Sequence, residues 1–363
     1  MRTLELTREQ EELRDAVRAV LDRHPGHAAW APLTAQIGAA ALAVPEEYGG
    51  LGCGPAEVGV VMAELGRALS PVPYLGSAVL TVAALLASGD REACAKHLPQ
   101  LAEGTVVGAL AWAEAPDGPS GGGWEAGDLS ARAEPGPVGP DWLLTGTKRY
   151  VLAGPAEPSL LLAFARMDGG LDAPLGLFEL LAPPAAFTVR STMDLTRPLA
   201  ELTLDRTPAR LLSADGTGVL ARVRDLACTA LAAEQVGAAA RALEATVRYA
   251  KERVQFGRPI GSFQAVKHRL ADLHTAVEGA RSLALAAAAS DAAPEQAAAA
   301  KSACSEAGAY VAGEMIQLHG GIGITWEHEA HAYFKRAHGS AQLFGSPAVH
   351  RERLAAGLGF LPA

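Results

Sequence analysis

The spacing of apolar positions along the chain changes twice. From Thr7 to His24 they recur at helical intervals. Leu13, Val17, Val20 and Leu21 share one face, and Thr7 with Gln10 makes a capping-box pattern at the start. Helical spacing continues through Ala56–Leu69, Gly76–Ser88 and Asp90–Leu98, interrupted by the turn-rich stretch Val44–Gly52. Near Gly104 the period shortens. Thr105–Trp112, Trp142–Leu144, Lys148–Leu152, Leu160–Ala165, Leu175–Leu181, Phe187–Val189 and Leu202–Leu204 are short apolar runs parted by Gly, Pro and Asp, a pattern that predicts antiparallel strands. Ala115–Pro140, rich in Gly and Pro, reads as a long loop. From about Val219 helical spacing returns, over Arg222–Arg253, then from a cap at Ser262 to about Ser290, Glu295–His319, Glu329–Phe344 and a short tail helix. Long helices with short connections predict a bundle. The expected fold class is therefore α+β in three domains: helical over 1–104, β over 105–214, and a C-terminal four-helix bundle over 215–363.

Composition fits this layout and narrows the partners. The chain has 363 residues, with 49% hydrophobic and 20% charged residues, values of a soluble globular protein. Its net charge of −9 argues against nucleic acid or an anionic membrane as the main partner. Met1–Glu11 is polar, and the apolar runs Val79–Ser88 and Leu283–Ala289 are far short of the ~20 residues of a membrane helix. Cys53, Cys94, Cys228 and Cys304 show no CxxC spacing and read as reduced thiols in a cytoplasmic protein. His328 and His331 are three apart, not in the HExxH spacing of a zinc helix, so no metal site is expected. No strand–GxGxxG–helix element predicts a Rossmann site.

Two segments have the chemistry of a nucleotide site. In Glu252-Arg-Val-Gln-Phe-Gly-Arg-Pro-Ile-Gly-Ser-Phe-Gln264, Arg253 offers a planar fork for a pyrophosphate, Phe256 an aromatic face and Gln264 an amide for ribose or adenine. In Gln317-Leu-His-Gly-Gly-Ile-Gly323, Gly320 and Gly321 permit close backbone approach. Taken alone, these groups also suit an Arg–carboxylate bridge, a core Phe and a helix C-cap. Together with Ala271-Asp272-Leu273 and the loop Val44-Pro-Glu-Glu-Tyr-Gly-Gly-Leu-Gly52, they resemble, in order, motifs of the acyl-CoA dehydrogenases. The resemblance spans nearly the whole chain. It implies FAD lying across a subunit interface, an acyl-CoA substrate and a tetramer. It places Arg253, Phe256, Gln264, Gln317, Gly320 and Gly321 on the cofactor of a neighbouring subunit.

The chain departs from the family pattern where its own flavin would sit. The family's T-E-P-x-A-G-S-D stretch reads Ala113-Glu-Ala-Pro-Asp-Gly-Pro-Ser120, so Ala113 replaces a Thr hydroxyl while Gly118 is kept. Its W-I-T strand reads Tyr150-Val-Leu152, with Tyr150 for Trp and Leu152 for Thr. The resemblance also implies a glutamate base that removes an α-proton, where a positioned base is worth ~10²–10⁴ in rate. Counting from Gln317 without a gap, its place is Phe344, in Leu343-Phe-Gly-Ser-Pro-Ala-Val-His-Arg351, where Gly345, Ser346 and Arg351 match the family's G, T and R. The alternative family position falls at Ala227. Glu234, two turns or about 10 Å further along that helix, is the candidate replacement, with Asp225, Glu114, His338 and His350 behind it. Three functions follow: a base-lacking subunit of a heteromeric acyl-CoA dehydrogenase, a homomeric flavoenzyme with a replacement base or oxidase- or monooxygenase-like chemistry, or a non-enzymatic acyl-CoA-binding relative.

Overall fold

The capping box forms as the sequence predicts. The Thr7 amide donates to Gln10 Oε1 at 3.0 Å, and the Gln10 amide to Thr7 Oγ1 at 3.3 Å. Helix α1 (Arg8–Arg23) then buries Val17, Val20 and Leu21. A computed structural model describes residues 5–114, 123–136, 141–154, 157–167 and 173–360. They belong to two compact units, Met1–Asp22 with Gly59–Ser70 and Cys228–Ala363, and Arg23–Val58 with Pro71–Ala227.

The N-terminal domain is helical, as expected. After α1 come α2 (Trp30–Ala35), which is too short for periodicity to reveal, and α3 (Pro55–Arg67). A π-helical segment, Leu75–Thr81, runs into α4 (Val82–Ser88). The Thr81 hydroxyl donates to Gly76 O, five residues back, at 2.8 Å, which suits the wider π register. Helix α5 (Arg91–Glu103) starts at Asp90, whose side chain accepts from the Ala93 amide at 2.9 Å.

The middle domain is a mixed sheet of β1 (Gly108–Ala111), β2 (Arg132–Pro135), β3 (Trp142–Val151), β4 (Leu160–Met167), β5 (Leu175–Leu180), β6 (Ala186–Arg190) and β7 (Leu199–Ser213). The pairings β4–β2–β3–β7–β5–β4 close into a ring, with β1 added on β4 and β6 on β7. A ring has no free edge. Its core holds Ala133, Leu144, Ala163, Phe178, Leu202 and Leu204. Three expectations need correction. Strands β1 and β2 pair with β4 in parallel, because the chain crosses over between them instead of returning by hairpins. Strand β2 lies inside the stretch read as loop. Strand β7 extends far beyond Leu202–Leu204, because its alternate positions face solvent and dilute the apolar signal.

Helices return with α6 (Gly216–Glu252), 37 residues long. A hairpin of β8 (Val254–Gln255) and β9 (Arg258–Pro259) leads into α7 (Gln264–Ala289), followed by α8 (Pro294–His319), α9 (Ala330–Gln342) and α10 (Pro347–Gly357). Ser262 does not cap α7. Its hydroxyl donates to Pro259 O at 2.7 Å, and Phe263 takes the cap position. Ala242, Leu273, Val311, Met315 and Tyr333 join α6, α7, α8 and α9 around one core, which makes the expected bundle. Among the described residues, no helix is long and apolar enough to cross a membrane.

Candidate functional site

The β8–β9 hairpin carries Arg253 and Phe256 out of the bundle. The Ile260 amide donates to Arg253 O at 2.8 Å, and the Arg258 guanidinium lies over the Phe263 ring at 4.0 Å. Phe256 is 90% exposed and takes a left-handed φ of 52°, an unfavourable backbone for an aromatic residue. The Arg253 guanidinium enters no ion pair among the described residues. Gln264, the first residue of α7, is exposed too.

The Gln317–Gly321 turn is joined to this region through Tyr249, one turn before Arg253. The Tyr249 ring stacks on His319 with centroids 4.3 Å apart, and its hydroxyl donates to His319 O at 3.3 Å. His319 donates from Nδ1 to Met315 O at 2.7 Å, which leaves a lone pair on Nε2, a buried atom without a partner. Burial pushes this imidazole below its ordinary range. Gln317 is exposed, and Gly320 turns at φ 63°. A Cβ at Gly320 or Gly321 would meet nothing within 4 Å, so both present bare backbone to whatever approaches. An exposed guanidinium, an exposed ring, two amides, an open glycine turn and an orphaned buried nitrogen all fit the phosphates, base and sugar of a dinucleotide.

The β-side residues are already engaged within the chain. Ala113 is fully buried, and its carbonyl accepts from the Arg149 amide at 2.8 Å. Next to it, Glu114 takes the Lys148 ammonium at 2.5 Å, the Ser130 amide and hydroxyl at 2.7 Å each, and the Ala131 amide at 3.0 Å. Burial would raise the Glu114 carboxyl, but Lys148 and these donors hold it below the usual carboxylate range. Tyr150, at φ 54°, stacks on Trp124 with centroids 5.7 Å apart. Leu152 presents its carbonyl to Gly76, where a Cβ would come within 1.8 Å. Gly118 lies outside the described residues.

Neither of the positions expected from the resemblance to hold the base, 344 and 227, carries a carboxylate, and Glu234 and Asp225 lie beside arginines. Phe344 is buried at φ 61°, and Ala227 is buried in α6. Glu234 pairs with Arg336 at 2.8 Å, and both are buried. Asp225 lies 3.7 Å from Arg224. His350 donates from Nε2 to Phe344 O at 2.9 Å and faces Arg353 through Nδ1 at 3.2 Å. Ser346 precedes α10 and is half-buried. The sequence reading missed Arg336 and Lys301. Lys301 was detectable as a lone charge after the alanine run Ala297–Ala300. Arg336 has no comparable signal, because its partner lies 102 residues away. Among the described residues, no cluster of His, Cys, Asp or Glu could hold a metal ion.

Comparison with known proteins agrees with this architecture. The pattern of the acyl-CoA dehydrogenase N-terminal domain matches residues 7–105, and that of the acyl-CoA dehydrogenase C-terminal domain matches residues 215–359. Acyl-CoA dehydrogenase IpdE2 of Mycobacterium tuberculosis is 40% identical over 361 residues, covering 95% of this chain and 96% of its own length. The ChsE4-ChsE5 complex of Mycobacterium tuberculosis contains a chain that superposes with a TM-score of 0.86 at 30% identity, with 100% of both chains covered. A variant of the Tcur3481-Tcur3483 steroid ACAD superposes with a TM-score of 0.83 at 31% identity, covering 97% of this chain and 98% of its own. With identity of this extent over helical, β and helical domains in the expected order, the chain belongs to the acyl-CoA dehydrogenase family.

Proposed function

We propose that this chain is the non-catalytic subunit of a heterotetrameric, FAD-dependent acyl-CoA dehydrogenase. Its family assigns it to flavin-dependent dehydrogenation of acyl-CoA thioesters. FAD, when bound, supplies the acceptor for a hydride. The single observation that carries the subunit reading is the contrast between the two halves of the site. Arg253, Phe256, Gln264, Gln317, Gly320 and Gly321 stand exposed and unspent, whereas Phe344 and Ala227 offer no base and Glu234 is tied to Arg336.

In this reading the exposed set completes a cofactor site shared with a second family member. Arg253 pairs with the pyrophosphate, Phe256 covers the adenine side, and Gln264 and Gln317 bond the sugar or base. Gly320 and Gly321 admit the cofactor against their backbone. On the other side, Ala113, Gly118, Tyr150, Leu152 and Ser346 occupy the family's flavin-side positions with fewer hydroxyls, so the partner provides those contacts and the Glu that takes the α-proton. Two structural relatives support the assembly: one is a ChsE4-ChsE5 complex, and the other, Tcur3481-Tcur3483, is described as a steroid ACAD. We extend the second description to a bulky, polycyclic acyl-CoA as the substrate class.

The test is co-expression with a second family chain that keeps its Glu, followed by native mass and FAD stoichiometry. The expected product is an α₂β₂ species containing FAD, while the chain alone is colourless or weakly yellow. One FAD per chain in the lone protein, bleached by acyl-CoA, would overturn the proposal in favour of a homomeric enzyme.

A further inference from the structure

A cavity of about 500 Å³ lies where the last turns of α6, the end of the β8–β9 hairpin and the first turns of α7 meet. That is room for a small organic molecule. Val247 of α6 and Leu270 of α7 give it apolar walls. One end is closed by Gly261, where a Cβ would lie 2.9 Å from Ala250 O, so the turn after the hairpin rests directly on α6. Ser262, in the same turn, spends its hydroxyl on Pro259 O at 2.7 Å.

Two cationic side chains, Lys251 and Lys267, line the same space, and both residues are exposed. Among the described residues neither side chain makes an ion pair or a hydrogen bond, and no acid lines the cavity. Lys251 stands in the last turn of α6, where the helix dipole favours a cation. Lys267 is the fourth residue of α7, at the end where the dipole disfavours one, and the first turn of that helix holds no acid. A chain of net charge −9 thus places uncompensated positive charge around a concave, partly apolar space, where the field is focused.

We propose that this cavity binds a small phosphate monoester with an apolar body. The phosphate pairs with Lys251 and Lys267, and the body lies against Val247 and Leu270. A lysine serves a phosphate as a point charge and needs no fixed fork, and two cations suit a group that carries nearly two negative charges. A bare inorganic ion would leave the apolar walls unused. Arg253, Phe256, Gln264, Gln317, Gly320 and Gly321 do not line the cavity, so the inference does not rest on FAD or on a partner chain.

The test is calorimetric titration of the full chain with phenyl phosphate at pH 8 and low salt. One saturable site per chain is expected, with inorganic phosphate bound about tenfold more weakly because it lacks the ring. Lys251→Gln combined with Lys267→Gln should weaken phenyl phosphate by about tenfold or more, a loss of at least about 1.4 kcal/mol. Both lysines are exposed, so the variant should keep its fold, as judged by circular dichroism. Bound phenyl phosphate should also slow acetylation of Lys251 and Lys267 relative to the other lysines, read by mass spectrometry. No saturable binding, equal affinity in the lysine variant, or unchanged acetylation would each overturn the proposal. So would an affinity that falls in Arg253→Gln but not in the lysine variant, because the anion would then sit on the hairpin. Phenylacetate bound as tightly as phenyl phosphate would overturn the assignment to a phosphate.

Discussion

At the scale of single residues, the buried charges were the least legible part of the chain and are the most testable. Glu114 and Lys148 lie 34 residues apart and meet in the interior of the β domain. In the sequence Glu114 read as a secondary candidate for a replacement base; in the fold it accepts from four donors. Removing one partner leaves the other charged and unpaired, which costs about 3–5 kcal/mol, whereas replacing both with apolar residues of similar volume costs far less. Glu114→Gln is therefore expected to lower the denaturant midpoint strongly, and Glu114→Leu with Lys148→Met to recover much of it. Phe344→Glu is a different kind of change. It supplies a carboxylate where the family resemblance implies one, but Ala113 and Leu152 carry no hydroxyl at the positions that the resemblance assigns to the flavin side. Acyl-CoA-dependent dye reduction by the variant is expected to stay close to background, and a gain of a hundredfold or more would show that the base was the only deficit. The sequence offers a register for Phe344, through Gly345, Ser346 and Arg351. Its left-handed backbone was not legible, because the donors that hold that turn come from Lys301 and His350.

At the scale of elements, helix starts and apolar faces were readable, while close approaches and crossovers were not. Helices α3 and α6 touch through glycine. A Cβ at Gly66 would lie 2.0 Å from Glu234 O, and one at Gly237 would lie 1.9 Å from Ala63 O. Alanine gains about 1 kcal/mol of helix propensity over glycine, but forcing a methyl into backbone costs about 1–3 kcal/mol or more. The clash wins, so Gly66→Ala and Gly237→Ala should each lower the melting temperature. A rise in either would mean that the two helices separate easily. Helix α5 is tied to β5 and β7 by another buried acid. Glu179 accepts from Lys96 and His97 at 2.8 Å each and from Arg210 Nη2 at 3.3 Å. Burial would raise its pKa, but the bonds from His97 and Lys96 outweigh it and hold the carboxyl at about 2. Its folded pKa is depressed, so its stabilisation is complete above the unfolded value of about 4.3 and is lost as pH falls toward 2. The stability gap between the native chain and Glu179→Gln should be constant near pH 7 and shrink through that window. Periodicity located α5 and β5 separately, but no local pattern pairs a lysine and a histidine with an acid more than 80 residues away.

At the scale of the whole molecule, several large apolar side chains stand on the surface. Ile324 is 73% exposed and Trp326 75% exposed, just beyond the glycine turn that ends α8, and Phe256 stands out on its hairpin. In a sequence, such residues read as core, because periodicity shows where apolar side chains lie but not what covers them. Exposed apolar side chains of this size are what a surface buried by another chain would present. The subunit reading assigns that role to the second family member and to the cofactor shared with it. Ile324→Ser with Trp326→Ser should therefore leave the fold intact, as judged by circular dichroism, while shifting the co-expressed complex toward smaller species in native mass spectrometry. Because both side chains are largely solvated in the single chain, its own melting temperature should move little. A fall in that melting temperature with no change in assembly would place Ile324 and Trp326 in intrachain packing and remove the surface argument for a partner.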